Sequence, residues 1–485
     1  MSAPRTAVRA RTLVSPMRTR AVIVVALALA ALTGPVAAQE PVAPTAVIEL
    51  GTPVFSLRRV PGYVSRVVAD TRLTADLESA LDDPVLGAAR QATCLAVADP
   101  DGRPLFARRP DLALIPASTL KVLTAAVALA RIGPEARLTT EVRTAGPARD
   151  GVVGDLWLVG GGDPLLSTAD FAVDAGYAGQ PRPATSLEAL ADRVVSAGVR
   201  RVEGRILGDE SRYDTQRLVP SWHPRYIAGF EVTPLSALVV NKNLLVGTRA
   251  LGPPPPVHAA TVLASLLQAR GVAVGATGDG TAPAEAPRLT SVDSPPLSDV
   301  VGEVLQHSDN LGAEMLVKEL GQRFGGSGST AAGLTVVRDH LTGAGVGLDG
   351  LTAVDGSGLD RSDRLSCDIL QRVLATAGEA SELGKVLPVA GGPGTLYRRF
   401  QNTPAAGKVR AKTGSLAGVA ALSGWTTAAS GRPVQFSLLS NELPNAQTGA
   451  ALQEKVVSAL ARYPQAPVAE DLAPRPPRPP RPAAP

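Results

Sequence analysis

PASTLKVLTAAVALARI, residues 116–132, is the stretch on which the fold turns. Its apolar positions Leu120, Val122, Leu123, Val127 and Leu129 leave almost no polar face, so it predicts a helix over 118–132 that is buried on nearly all sides. That helix carries Ser118 and, three residues on, Lys121, a spacing that sets both side chains on one face. A serine hydroxyl is a poor nucleophile until a base takes its proton. A lysine amine in apolar surroundings can be that base, because desolvation lowers its pKa. The start of the helix adds free N–H groups that can support an oxyanion. The plain alternative is a capping serine followed by a surface lysine, and a single Ser-x-x-Lys arises easily by chance. Lysine usage sharpens the choice. Lysines stand only at 121, 242, 318, 385, 408, 412 and 455, against 41 arginines. Arginine serves here wherever any cation will do, but it stays protonated and cannot take a proton from a hydroxyl. Of the seven lysines, only Lys121 has a serine three residues before it.

Two further clusters lie downstream. Lys412-Thr413-Gly414 ends a predicted strand over 407–414. A lysine, a hydroxyl and a glycine on an edge strand can hold a carboxylate while a substrate backbone lies alongside; an exposed strand lysine before a turn is the bland alternative. Ser308-Asp309-Asn310 falls at a break between two helical patterns, one with Val300, Val301, Val304 and Leu305, the other with Leu311, Met315, Leu316 and Leu320. A serine there can pass a proton to a leaving amine, and an asparagine offers a donor and an acceptor to an amide. In isolation the cluster reads as the cap of the second helix.

The order S-x-x-K, S-x-N, K-T-G is that of penicillin-binding proteins and serine β-lactamases. Flanking residues narrow it: Gly160-Gly161-Gly162-Asp163-Pro164, Asp355-Gly356-Ser357-Gly358-Leu359, Leu387-Pro388-Val389-Ala390-Gly391 with Gly394-Thr395-Leu396, and Ala313-Glu314 after the second motif. In these residues the chain resembles the D-alanyl-D-alanine carboxypeptidases typified by penicillin-binding protein 4, the class C low-molecular-mass type of peptidase family S13, over most of 60–465. The 190 residues from Ser118 to Ser308 match that family's large insertion. The resemblance implies an α+β fold, a transpeptidase-like antiparallel sheet covered by helices. It implies that Ser118 is the acylated nucleophile, Lys121 its base and Ser308 a proton relay. Asn310 would hold the substrate amide, and Lys412, Thr413 and Gly414 would bind the terminal carboxylate. The backbone N–H groups of Ser118 and Ser415 would form the oxyanion hole, and Arg361 is a candidate substrate contact. Asp360 departs from the serine that the family commonly has before that arginine.

The implied activity is removal of the terminal D-Ala from peptidoglycan stem peptides through an acyl-enzyme, with cleavage of D-amino-acid cross-links as a possible second action. β-Lactams would acylate Ser118, and no cofactor or metal is needed, since every reacting group is the protein's own. Two other classes stay open on the sequence: a β-lactamase, for which no glutamate is obviously placed to activate water, and a non-catalytic cell-wall-binding protein that keeps the fold.

Organisation and composition bound the rest. The chain has 485 residues, 45% hydrophobic and 19% charged, a globular composition. Its charge of +4 comes mostly from Arg5, Arg9, Arg11, Arg18 and Arg20; without them 43 basic residues face 44 acidic ones. A nearly neutral body with few aromatics is a poor nucleic-acid binder. Those arginines, the apolar run 21–32 and Val36-Ala37-Ala38 read as a signal peptide over 1–38, too short in its apolar part to span a bilayer. Export into the periplasm or cell-wall space follows, without a transmembrane anchor. A Pro-rich lead-in (39–60), a first part of the main domain (61–145), a mostly β insertion (146–289) with strands over 154–159, 202–207 and 237–246, a second part (290–463) and a Pro/Arg-rich extended tail (464–485) complete the expected layout. Cys94 and Cys367 read first as buried small hydrophobes, although export permits a disulfide. The four histidines form no metal-binding spacing. Nothing in the sequence fixes an oligomeric state.

Overall fold

The structure is a computed structural model that describes residues 51–146, 149–174, 182–248 and 250–475. The expected signal segment and residues 476–485 of the tail lie outside the described residues. The chain divides into two units, Met1–Arg59 with Ala473–Pro485, and Val60–Leu472. In the first, the Arg475 N–H donates to the Thr52 hydroxyl at 2.7 Å.

The second unit carries the chemistry. It opens with helix α1 (Pro61–Leu81), the hairpin β1 (Thr93–Ala98) and β2 (Pro104–Arg108), and helix α2 (Lys121–Arg131). The middle segment then holds β3 (Thr139–Thr144), β4 (Val152–Val153), β5 (Leu156–Val159), β6 (Leu166–Ser167), α3 (Ala169–Asp174), β7 (Thr185–Ser186), α4 (Leu187–Ser196), β8 (Arg201–Asp209), α5 (Pro224–Ala228), α6 (Pro255–Gln268), β9 (Ala273–Asp279) and β10 (Arg288–Asp293). Helices α7 (Leu297–His307), α8 (Asn310–Phe324), α9 (Thr330–Gly343), α10 (Cys367–Ala377) and α11 (Glu382–Val386) follow. Strands β11 (Val409–Leu416), β12 (Val419–Thr427) and β13 (Pro433–Ser440) and helix α12 (Ala446–Arg462) close the unit.

The main sheet runs β11-β12-β13-β1-β2, antiparallel throughout. Successive side chains of a strand point to opposite faces, and here both faces are covered. Cys94 and Ala96 of β1 pack with α2, α7, α8 and α10, while Leu95 and Val97 pack with α1 and α12. Burial on both sides is why β1 and the first half of β12 read as apolar runs instead of alternating ones. β11 lies at the edge of the sheet, so its outer side is free to meet the turn that precedes α2.

The middle segment leaves and rejoins this domain at one place, because β3 and β10 pair antiparallel with Thr139 opposite Asp293. It is less purely β than its turn-rich composition suggests. Its sheet runs β10-β3-β5-β8-β4, and β8 takes β4, β5 and β9 as parallel partners. Parallel neighbours need long crossovers, and α4 and α6 lie on those connections, burying Leu187, Leu190, Leu263 and Leu267. The strand expected over 237–246 does not form. Asn241, Lys242 and Asn243 all take left-handed backbone angles, which no strand accommodates.

Two more expectations are corrected. Cys94 and Cys367 form a disulfide, with Cα atoms 6.0 Å apart although 273 residues separate them. β1 and the start of α10 are neighbours in one core layer, a proximity that sequence distance hides. The first residues of the expected tail are not extended. They hold a 3-10 turn over Ala469–Leu472, and the Pro467 carbonyl accepts from Ser65 of α1 at 2.8 Å.

Candidate active site

Ser118 sits in a 3-10 turn, Ala117–Leu120, that hands over to α2 at Lys121. The helix expected from 118 thus begins as a tighter turn. Ala117 before it has φ of 46°, an uncommon angle for a residue with a Cβ, and the Thr119 hydroxyl donates to the Pro116 carbonyl at 2.7 Å.

Lys121 is almost wholly buried, and its Nζ contacts three oxygens: Ser118 Oγ at 3.0 Å, Asn310 Oδ1 at 2.5 Å and the Ser357 carbonyl at 2.8 Å. Burial pushes its pKa down to about 8, against the opposing pull of Asp355, Glu314, Asp309 and Asp363. A neutral amine has two protons and one lone pair. Asn310 and Ser357 are pure acceptors at those atoms and take the protons, which leaves the lone pair for the Ser118 hydroxyl.

The Ser357 carbonyl is held in place by carboxylates. Asp355 accepts from the N–H groups of Ser357, Gly358 and Asp360 and from the Trp222 indole, while Glu314 accepts from the Gly356 N–H at 3.0 Å. Burial and the Asp355 charge hold Glu314 and Asp363 well above the usual carboxylate range. Gly358 has φ of 77°, and a Cβ there would lie 1.9 Å from the Ala117 carbonyl, so the loop presses against the nucleophile's turn.

A second serine–lysine pair stands opposite. Ser308 ends α7 with φ of 56°, and its Oγ accepts from Lys412 Nζ at 2.9 Å. Lys412 also donates to the Thr413 carbonyl at 2.8 Å; burial, reinforced by the Lys121 charge, holds its pKa well below the usual value. Asn310 opens α8 and donates through Nδ2 to the Glu231 carbonyl at 2.8 Å. Gly414 brings the edge strand onto the nucleophile: a Cβ there would lie 2.7 Å from the Pro116 carbonyl and 3.1 Å from the Ser118 nitrogen. Thr413 is half-buried and Ser415 exposed on the same strand. Arg361 is exposed and donates to the Ala417 carbonyl at 3.0 Å, in the turn after β11. Asp360 is buried, accepting from Ser221 Oγ and from the Ser362 N–H.

Ser118, Lys121 and Asn310 are therefore joined directly, Ser308 and Lys412 form the opposite pair, and Gly414 packs on the nucleophile's turn. Sequence reasoning gave no role to the Ser357 carbonyl, to Asp355 and Glu314 beneath it, or to Glu231. The Asp-Gly-Ser-Gly stretch signalled the first two by its residue types, since an aspartate before small residues can collect several backbone N–H groups.

Comparison with known proteins makes this chain a peptidase hydrolase. The chain belongs to the D-Ala-D-Ala carboxypeptidase 3 (S13) family, whose sequence model matches residues 73–254 and 253–463. It is 32% identical over 476 residues to a D-alanyl-D-alanine carboxypeptidase of Actinomadura sp. (strain R39), covering 81% of this chain and 85% of that one. A carboxypeptidase of Mycolicibacterium smegmatis is 33% identical over 382 residues, with 76% and 80% covered. Among solved structures, penicillin binding protein 4 of Haemophilus influenzae superposes with a TM-score of 0.67 at 19% identity, covering 80% of this chain and 99% of that one. The same protein has been solved in complex with a β-lactam, with a TM-score of 0.62 to this chain. The antiparallel, helix-covered sheet is thus the transpeptidase-like fold that the three motifs imply.

Proposed function

We propose that this protein is a serine D-Ala-D-Ala carboxypeptidase that works on peptidoglycan stem peptides through an ester on Ser118. The observation that carries the reading is the Lys121 amine, buried and 3.0 Å from the Ser118 hydroxyl. Lys121 takes the hydroxyl proton as Ser118 Oγ attacks the penultimate D-Ala carbonyl. The N–H groups of Ser118 and Ser415 receive the charge that develops on the carbonyl oxygen. Lys412, Thr413 and Gly414 hold the terminal carboxylate, whose negative charge favours a protonated Lys412. Asn310 orients the substrate amide. When the C–N bond breaks, the proton returns from Lys121 through the Ser308 hydroxyl to the leaving D-Ala nitrogen. Water then attacks the ester, giving its proton to Lys121, and Ser118 recovers a hydroxyl. Arg361, at the rim, contacts the rest of the stem peptide.

The same machinery opens a D-amino-acid cross-link, where the leaving amine belongs to a second stem. β-Lactams acylate Ser118 because they present the same acyl and carboxylate groups. Residues 1–38 direct the chain across the cytoplasmic membrane; among the described residues no helix is long and apolar enough to cross one.

Incubating the purified mature protein with a pentapeptide stem and with a cross-linked dimer, and reading the products by mass spectrometry, tests this. Release of D-Ala that disappears in Ser118→Ala is the expected result. Release that persists in that variant, or a penicillin ester on another residue, overturns it. A penicilloyl ester that hydrolyses faster than the peptide turns over identifies a β-lactamase instead.

A further inference from the structure

In the middle segment, three consecutive residues with side chains, Asn241, Lys242 and Asn243, have φ of 55°, 52° and 58°. Such a run is strained and persists only where its surroundings hold it. Here the two asparagines are the anchors, and both are buried. Asn241 Oδ1 accepts from the Thr168 N–H at 2.8 Å, and its Nδ2 donates to the Thr168 hydroxyl at 2.9 Å. Asn243 Oδ1 pairs with His258 Nδ1 at 3.1 Å. Lys242, between them, reaches out of its own segment and forms an ion pair with Asp309 at 2.9 Å.

Asp309 is the middle residue of the second motif, with Ser308 on Lys412 to one side and Asn310 on Lys121 to the other. Its carboxylate is buried, and burial alone would favour the neutral acid; Lys242, together with the Gly312 N–H and the Lys121 charge, outweighs that and keeps it charged. The same middle segment supplies the Glu231 carbonyl to Asn310. Nearby, Glu303 of α7 pairs with Arg182 and lies 3.1 Å from His307, a ring that also feels the charges of Lys242 and Asp309. We propose that Lys242 is a positioning residue: the strained Asn-Lys-Asn run exists to present a cation that clamps Asp309, and through it sets Ser308 and Asn310 against the two active-site lysines. The middle segment is on this view part of the catalytic apparatus. Lysine scarcity agrees, since three of the seven lysines, 121, 242 and 412, converge on one motif.

The inference rests on Ser118 being the acylated residue, so the assay is penicillin labelling of that serine in the full mature protein. Lys242→Met is expected to lower the maximal labelling rate at saturating penicillin by about tenfold or more, because small displacements of reacting groups cost rates of that order. Lys242→Arg restores it to within about threefold, and melting temperatures stay close to wild type. Asp309→Asn, alone and combined with Lys242→Met, provides a measurement independent of small stability changes: the double variant falls no further than the poorer single one. Wild-type labelling in Lys242→Met, or losses that multiply in the double variant, overturns the clamp while leaving the reading of Ser118 intact. A wild-type protein that takes no label at Ser118 overturns that reading, and the clamp falls with it.

Discussion

A lysine with a pKa near 8 governs what happens at Ser118. An unperturbed amine is neutral in roughly one molecule in three thousand at pH 7, whereas one at about 8 is neutral in roughly one in ten. The base must be unprotonated, so the rate of acylation by penicillin is expected to climb with pH, about tenfold per unit below 8, and to level off above it; a stopped-flow pH series checks this. Lys121→Arg should abolish the climb and the activity together, since a guanidinium does not release its proton. The burial that makes the base also weighs on stability. The unfolded chain keeps the proton up to about 10.4, so the penalty is full below about pH 8 and fades as pH rises beyond it. The Ser118–Lys121 pair was legible because it is local, three residues apart where a 3-10 turn runs into α2. The Lys412–Ser308 contact joins residues 104 apart, and only the motif order, not any spacing, pointed to it. Lys242 carried the same scarcity signal as Lys121 but lacked a local partner to give it meaning.

Elements decide how closely those residues meet. β11 is an edge strand that touches the nucleophile's turn only because position 414 has no side chain. Gly414→Ala should push strand and turn apart, costing about 1–3 kcal/mol of stability and a larger share of the acylation rate, measured by denaturant melts beside penicillin labelling. Helix α8 is fixed by buried charge. Glu319 accepts from Arg212 at 2.8 and 2.7 Å, from Arg323 at 2.5 Å and from Tyr213 at 2.9 Å, and Lys318 pairs with Asp214. Arg212 and Asp214 belong to the middle segment, so this helix, whose first residue is Asn310, is gripped from there at its start and again past its midpoint. Glu319→Gln is expected to destabilise the protein by about 1–3 kcal/mol, since the bonds from Arg212, Arg323 and Tyr213 lose their charged acceptor while the two half-exposed arginines stay solvated; urea unfolding reads it. The helices around the core were legible from their apolar spacing. The middle segment was not, because its parallel sheet depends on which strands neighbour β8, and the apolar run 237–246 looked like a strand until three left-handed residues interrupted it.

At the scale of the molecule, the pairing of Thr139 with Asp293 makes the middle segment geometrically removable, since its ends already lie together. Energetically it is not. Replacing 140–292 with a short turn would leave Lys318 without Asp214, Glu319 without Arg212 and Tyr213, and Asp309 without Lys242. The shortened chain is expected to be insoluble or to take no penicillin label; soluble protein labelled at the wild-type rate would refute this. The Cys94–Cys367 bond closes a loop of 273 residues, and Cys94→Ala with Cys367→Ala should cost about 2–5 kcal/mol, read from melting with and without the bridge. Two cysteines without a motif gave the sequence reading no means of seeing that β1 and α10 adjoin. The bond also bears on how the molecule must be produced. A host whose cytosol keeps thiols reduced will yield the untied form, so recombinant stocks made there and stocks recovered from an oxidising compartment are different reagents. Inhibitor potencies measured on one need not transfer to the other.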